Sequence, residues 1–248
     1  MRTPLSEPVP ATVAGTGVVR PVVRSVVLIN PNTSQATTAM MTAIASRALG
    51  PAGVPVRGVT VARGPRMLTD PAALAAAAPE VVAAGLRAVA TGDCAALIVA
   101  AFGDPGAAEL RARVGVPVVG LAEASLAEAA AGGARFGVAT TTPALADAIA
   151  ARVAELGLAD RYTGIRLTEG DPHELSADPE SLRERLAEAV RRSLQDDGAT
   201  RVVIGGGPLG DAAAALRTRF HAPVIAPIPA ACRSVLRQLP DDGAGSTG

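Results

Sequence analysis

The chain has 248 residues, of which 49% are hydrophobic, 19% charged and 2% aromatic, and its formal net charge is zero. That length bounds it to one large domain or two small ones, with a core built from Ala, Val, Leu and Ile. It contains no lysine, which excludes a pyridoxal-phosphate Schiff base, a lysine-type aldolase and a Walker A phosphate loop, each of which needs that amine.

Residues 1–24 are rich in Pro, Val and Thr and lack a compact apolar stretch of signal-peptide type, so a disordered leader and a cytoplasmic location are expected. The arginines are dispersed, and no unbroken apolar run approaches the roughly 18 residues needed to span a bilayer. No nucleic-acid or membrane partner is expected. Cys94 and Cys232 are too few for a disulfide framework.

From residue 25 the pattern alternates between strand and helix. Strand-length apolar runs lie at Val26–Ile29, Val54–Val61, Ala95–Ala101 and Val116–Gly120, then at Phe136–Thr140, Ile165–Leu167, Val202–Gly205 and Val224–Pro227. Continuous apolar runs are what parallel strands covered on both faces require. The clearest helix spans Pro179–Gln195, where Leu182, Leu186, Ala189, Val190 and Leu194 form one apolar stripe behind an Asp178-Pro179 start. Alternating strands and helices predict an α/β fold with mostly parallel sheets. A flexible tail is expected over 236–248, Gly-, Ser- and Thr-rich from Asp241.

The two halves repeat. The strand Ala95–Ala101, a helix and Val116-Pro-Val-Val-Gly120 have a counterpart in Arg201–Gly206, a helix and Ala222-Pro-Val-Ile-Ala226. Val27–Asn30 followed by Asn32-Thr33 matches Gly137–Thr140 followed by Thr141-Thr142. The repeat predicts two similar three-layer α/β lobes, 25–125 and 126–235, related by a pseudo-twofold axis with a cleft between them. Ligands in such sheets bind beyond the carboxyl ends of the strands. Those ends are Asn30–Ser34, Ala101–Gly106, Thr140–Thr142 and Gly206–Gly210.

These motifs carry a resemblance. Ile29-Asn30-Pro31-Asn32-Thr33-Ser34, Gly64-Pro65, Phe102-Gly103-Asp104-Pro105-Gly106, Val118-Val119-Gly120 with Glu123, and Arg135–Val138 leading to Thr140–Thr142 are similar in order and spacing to the aspartate/glutamate/hydantoin racemase superfamily. The resemblance covers about residues 25–235 and implies cofactor-independent isomerase chemistry on a small carboxylate or cyclic amide. It also implies a dimer or higher assembly, so a homo-oligomer is expected. In the family a cysteine precedes the aromatic of the Phe-Gly-Asp-Pro-Gly-like motif, which here is Ala101. A second lies in a Gly-Cys-Ala-Gly-like loop that falls on Gly206. This sequence therefore lacks both thiols, one from each half.

Moving a proton on a carbon beside a carboxylate needs a base on one face and an acid on the other; a thiol serves both roles because its pKa is tunable. Alanine and glycine do neither. Cys94 precedes Ala101 by seven residues, roughly 23 Å along a strand, at the wrong end of the sheet. Cys232 lies on the last helix, where a buried structural thiol is the ordinary reading.

The resemblance makes Asn30, Asn32, Thr33, Ser34, Ala101, Phe102, Thr140, Thr141, Thr142, Gly206 and Gly207 the expected substrate-binding set. A strand-to-helix turn favours anions in its own right, although Thr33 or Ser34 would equally serve as a helix cap. Asp104 and Glu123 are the acid/base candidates; Asp is also a common turn residue, and Glu a common first-turn one. Gly205-Gly206-Gly207-Pro208 lets a ligand approach backbone N–H groups, as in an oxyanion hole, or is simply a flexible loop. Asp171-Pro172-His173-Glu174 puts one His among acids, too few for a metal site, and no metal or cofactor is expected. Arg63 and Arg66 would pair with an acidic substrate or with solvent.

Three functions follow. One is an isomerase, lyase or cyclase of this superfamily working without thiols. Another is a hydantoin or amino-acid racemase using groups such as Asp104 and Glu123, although both belong to one lobe and would have to serve opposite faces of a carbon. The last is a non-catalytic protein that binds a small acid. Deuterium exchange, a change of composition, or neither would separate them.

Overall fold

The computed structural model describes residues 24–240. The expected leader up to residue 23, and the tail from 241, lie outside the described residues. All eight expected strands are present: β1 (Ser25–Asn30), β2 (Val56–Thr60), β3 (Cys94–Val99), β4 (Val118–Gly120), β5 (Phe136–Thr140), β6 (Tyr162–Leu167), β7 (Arg201–Ile204) and β8 (Val224–Ile225). Between and after them run α1 (Gln35–Leu49), α2 (Pro71–Ala90), α3 (Ala107–Arg113), α4 (Leu121–Ala130), α5 (Ala146–Glu155), α6 (Pro172–Ala177), α7 (Pro179–Gln195), α8 (Gly210–Leu216) and α9 (Pro227–Gln238). The last helix reaches Gln238, so residues 236–238 belong to it and not to the tail: its apolar face is buried, with Val235 fully so.

The strands form two parallel four-stranded sheets of identical order, β2-β1-β3-β4 and β6-β5-β7-β8. Val26 lies beside Val56 on one side of β1 and beside Ala96 on the other, with a register shift between Ser25 and Val26 on the β3 side. Alternate residues of each central strand enter different cores, which explains the continuous apolar runs. In β1, Val26 and Leu28 pack with α1 and α9, whereas Val27 and Ile29 pack with α2 and α3. In β7, Val202 and Ile204 face α7 and α8, and Val203 faces α4 and α5.

The helix following each sheet crosses to the other. α4 leaves β4 and buries Ala122, Leu126 and Ala129 against Phe136, Val138 and Val203 of the second sheet. α9 leaves β8 and returns Ile228, Ala231, Cys232 and Val235 to the core of the first. The expected boundary at 125/126 thus falls inside α4, and neither sheet is fully covered by its own half of the chain.

Composition alone misjudges α2. Its 20 residues carry only Glu80 and Arg87 as charges, and by length and composition it could cross a membrane. The expectation of no such segment came from unbroken runs, which those two charges interrupt. Here the helix buries Val81, Val82, Ala84 and Ala88 in the core beneath β1 and β3.

Candidate active site

The order 2-1-3-4 reverses direction between β1 and β3, and ligand crevices in open parallel sheets form at such a point, beyond the carboxyl ends of the strands. Each lobe has one. The loops after β1 and β3 face those after β5 and β7 across a cleft of about 130 Å³. Its polar floor is Asn30, Asn32, Thr141, Thr142 and the loop backbones around Ala101 and Gly206; its walls are Met67, Leu68, Leu74, Phe102, Leu145, Leu182 and Leu209.

The first loop is shaped by its own side chains. Asn30 Nδ2 donates to Asn32 Oδ1 at 2.8 Å, to the Ser34 carbonyl at 3.1 Å and to Thr38 Oγ1 at 2.9 Å, while Asn30 Oδ1 accepts from the Asn32 amide at 3.1 Å. Asn32 Oδ1 also accepts from the Ser34 amide at 2.9 Å. Asn30 is spent on the loop, and Asn32 Nδ2, with no partner among the described residues, is the donor left for a ligand. Ser34 caps α1 by accepting from the Thr37 amide at 3.3 Å. Thr33 points away, its hydroxyl donating to the Gly64 and Pro65 carbonyls.

The opposite wall is built in the same way. Thr140 is fully buried, and its hydroxyl donates to the Gly205 carbonyl at 2.7 Å, tying the β5 loop to the β7 loop. Thr141 and Thr142 line the cleft. Gly207 is a glycine by necessity, since an added Cβ would lie 2.9 Å from Met41 Sδ and 3.0 Å from the Ala100 carbonyl oxygen. Gly206 is roomier: an added Cβ meets only the Leu209 side chain, at 3.2 Å. The amides of Ala101, Phe102 and Gly207 make no hydrogen bond to a described residue.

Of the expected binding set, Asn30, Asn32, Ala101, Phe102, Thr141, Thr142, Gly206 and Gly207 line the cleft, while Thr33, Ser34 and Thr140 support its loops from behind. Ala101 and Gly206 face the same space from opposite lobes. The acid/base candidates do not reach it. Both Asp104 oxygens accept main-chain amides, from Ala122 at 2.8 Å and Glu123 at 2.9 Å, and Glu123 is paired with Arg111 at 2.6 Å and Arg152 at 3.1 Å. Burial pushes the Asp104 carboxyl up to about 6, against the pull of the two amides and Arg152.

The thiols stand apart as well. Cys94 starts β3, at the far end from the cleft, and burial pushes its thiol up. Cys232 is buried on α9, where loss of water pushes its thiol up to about 12. His173 is exposed in the first turn of α6, and Arg63 pairs with Glu80 at 2.8 Å. No titratable side chain is among the residues lining the cleft.

Sequence reasoning missed the apolar walls. Met67 and Leu68 come from the loop opened by Gly64-Pro65, Leu74 from the first helical turn after it, and Pro172, Ser176 and Leu182 from the α6–α7 region. An isolated Leu or Met in a loop carries no signal of its own. Only the packing of four distant loops makes these residues neighbours.

Comparison with known proteins agrees with this architecture. The family described as Asp/Glu/Hydantoin racemase matches residues 26–235. A hydantoin racemase of Paenarthrobacter aurescens is 28% identical over 208 residues, covering 84% of this chain and 88% of that protein. The solved allantoin racemase of Klebsiella pneumoniae superposes with a TM-score of 0.80 at 27% identity, covering 86% of each chain. A crystal structure of arylmalonate decarboxylase superposes at 0.64 with 22% identity, covering 89% of this chain and 94% of that one, a likeness of fold alone. With two four-stranded sheets of the same order, the cleft between them and a family match over nearly its whole described length, the chain belongs to the Asp/Glu/hydantoin racemase family.

Proposed function

We propose that this chain is a cofactor-independent enzyme acting on a small carboxylate or cyclic amide without a thiol pair, and that its reaction is a decarboxylation. The observation that carries this reading is a cleft lining with no titratable side chain, in which Ala101 and Gly206 occupy the places where the family resemblance puts the two cysteines. Racemisation and β-elimination start by removing an α-proton, which needs a base in the cleft. Loss of CO2 does not.

In that reaction the bond between the α-carbon and its carboxylate breaks, CO2 leaves, and the electron pair moves into an enolate on the remaining carbonyl. The uncommitted amides of Ala101, Phe102 and Gly207 are suited to hold the enolate oxygen, and neutral N–H donors in a water-poor site stabilise such an oxyanion strongly. Asn32 Nδ2 and the Thr141 and Thr142 hydroxyls would hold the retained carboxylate. The walls around Leu74, Leu145, Leu182 and Leu209 suit the departing carboxylate's loss of charge to neutral CO2. Water then supplies the proton to carbon, and the hydroxide left behind takes up the released CO2 as bicarbonate.

The same uncharged lining favours a second reading, silent binding of a small acid. NMR of the purified protein with α-substituted malonates, hydantoins and lactams in D2O separates the two. Decarboxylation gives a product one carboxylate smaller, deuterated at the α-carbon. Saturable binding without product supports the silent reading, and deuterium entering an otherwise unchanged hydantoin would overturn both. In parallel, Ala101→Cys/Gly206→Cys should gain exchange on a hydantoin, because an extended backbone at Gly206 accepts a side chain there.

A further inference from the structure

A charged cluster behind the cleft is used by no step of that reaction. Asp104 follows the Ala101–Phe102 wall, and its φ of 51° is the one positive value at a non-glycine among the described residues. Left-handed backbone is strained for a residue with a Cβ and persists where its surroundings over-determine it. Here they do. Its side chain is 1% exposed, both oxygens accept amides at the start of α4, and Arg152 Nη2 stands 3.4 Å away. The carboxyl also fills the space above Gly120, where any added Cβ would overlap it.

Capping α4 explains the two amide bonds but not the arginine. Arg152 belongs to α5, in the other lobe, directly after the Thr141–Leu145 wall. Its side chain is 23% exposed and its Nε is buried with no partner, a desolvation cost accepted to bring the guanidinium to Asp104 and Glu123. The remaining charged groups on this cluster are Arg111, which pairs with Glu123 at 2.6 Å, and Glu155, which pairs with Arg152 at 3.1 Å. Phe102 also belongs to the same buried apolar cluster as Leu145, Ile149 and Val153, so the two segments share a core as well.

We propose that Asp104 and Arg152 form a clasp between the lobes that positions the Ala101–Phe102 wall against the Thr141–Leu145 wall. Asp104 is then a positioning residue, and the clasp sets the shape of the cleft whichever reaction runs there. Hydrogen exchange on the full-length protein tests it without any ligand. The reporters are the Ala107 amide, bonded to the Asp104 carbonyl, and the Leu145 amide, bonded to the Thr142 carbonyl.

Asp104→Asn should lower the protection of Leu145, across the cleft, about tenfold, the size expected for losing a charge-assisted hydrogen bond. Arg152→Gln should lower that of Ala107 similarly, and Arg152→Lys should restore most of it. If Asp104→Asn deprotects only its own loop and the start of α4, or Arg152→Gln leaves Ala107 unchanged, Asp104 is a local cap and the clasp is overturned. Should Asp104→Asn not fold, the two Arg152 variants decide the matter alone.

Discussion

At the scale of single residues, the cleft is lined by uncharged side chains and loop backbone. Ala101 and Gly206 face the cleft from opposite lobes, and the nearby carboxylates are engaged elsewhere. Asp104 has a stability signature. Its carboxyl is raised from 3.8 to about 6 by burial, so the folded protein binds that proton more tightly than the unfolded chain. The stabilisation it contributes is complete below the unfolded value and is lost as pH climbs through the folded one. At about 1.4 kcal/mol per unit, the loss is on the order of 3 kcal/mol. Urea titrations at pH 4 and pH 7 should show wild type losing ground by that order relative to Asp104→Asn; a pH-independent difference would mean the carboxyl titrates normally. The two glycines of the β7 loop make a second contrast. Gly207→Ala pushes a methyl into the Ala100 carbonyl and Met41 and should cost about 1–3 kcal/mol. Gly206→Ala meets only a movable Leu209 and should cost less than about 1 kcal/mol in the same melts.

At the scale of elements, the sequence was legible wherever local chemistry and burial agreed. Pro179–Gln195 is helical as its apolar stripe and Asp-Pro start predict, with Asp178 accepting the Glu180 and Ser181 amides at 3.1 and 3.2 Å. Asp178→Ala should therefore lower stability by about 1 kcal/mol in thermal or urea denaturation, the usual value of such a cap. Strand ends were less legible. The expected Ala95–Ala101 strand stops at Val99, because Ala100 and Ala101 already turn into the cleft. The expected Val224–Pro227 strand is two residues long, because Pro227 begins α9. Apolar character persists past the ladder in both places, since these residues remain buried after the strand pairing ends.

At the scale of the whole molecule, the exchange of α4 and α9 makes the two sheets depend on each other. Ile228 comes from the end of the chain yet is fully buried in the first lobe's core. Ile228→Ala should cost about 2–5 kcal/mol, as other large-to-small core changes do. It should destabilise both lobes together. Tyr162, the chain's one tyrosine, reports on the second lobe, and far-ultraviolet circular dichroism reports on both. Coincident unfolding curves from the two probes, in wild type and in Ile228→Ala, are expected of a single cooperative unit. A second-lobe transition that stayed in place while the dichroism midpoint dropped would show the lobes to be independent.

The sequence by itself determined the strand–helix alternation, the internal repeat and the loops that form the floor of the cleft, because each is written in local periodicity, turn residues and short polar motifs. It also led to Ala101 and Gly206, which the structure brings to one cleft. Tertiary structure alone decided which residues wall the cleft, which lobe each of α4 and α9 covers, and that Asp104 is held by Arg152 from across the molecule. The physical reason is range. Capping and strand burial are settled within a few residues, whereas an apolar wall or an ion pair between residues 48 positions apart exists only once two sheets have packed.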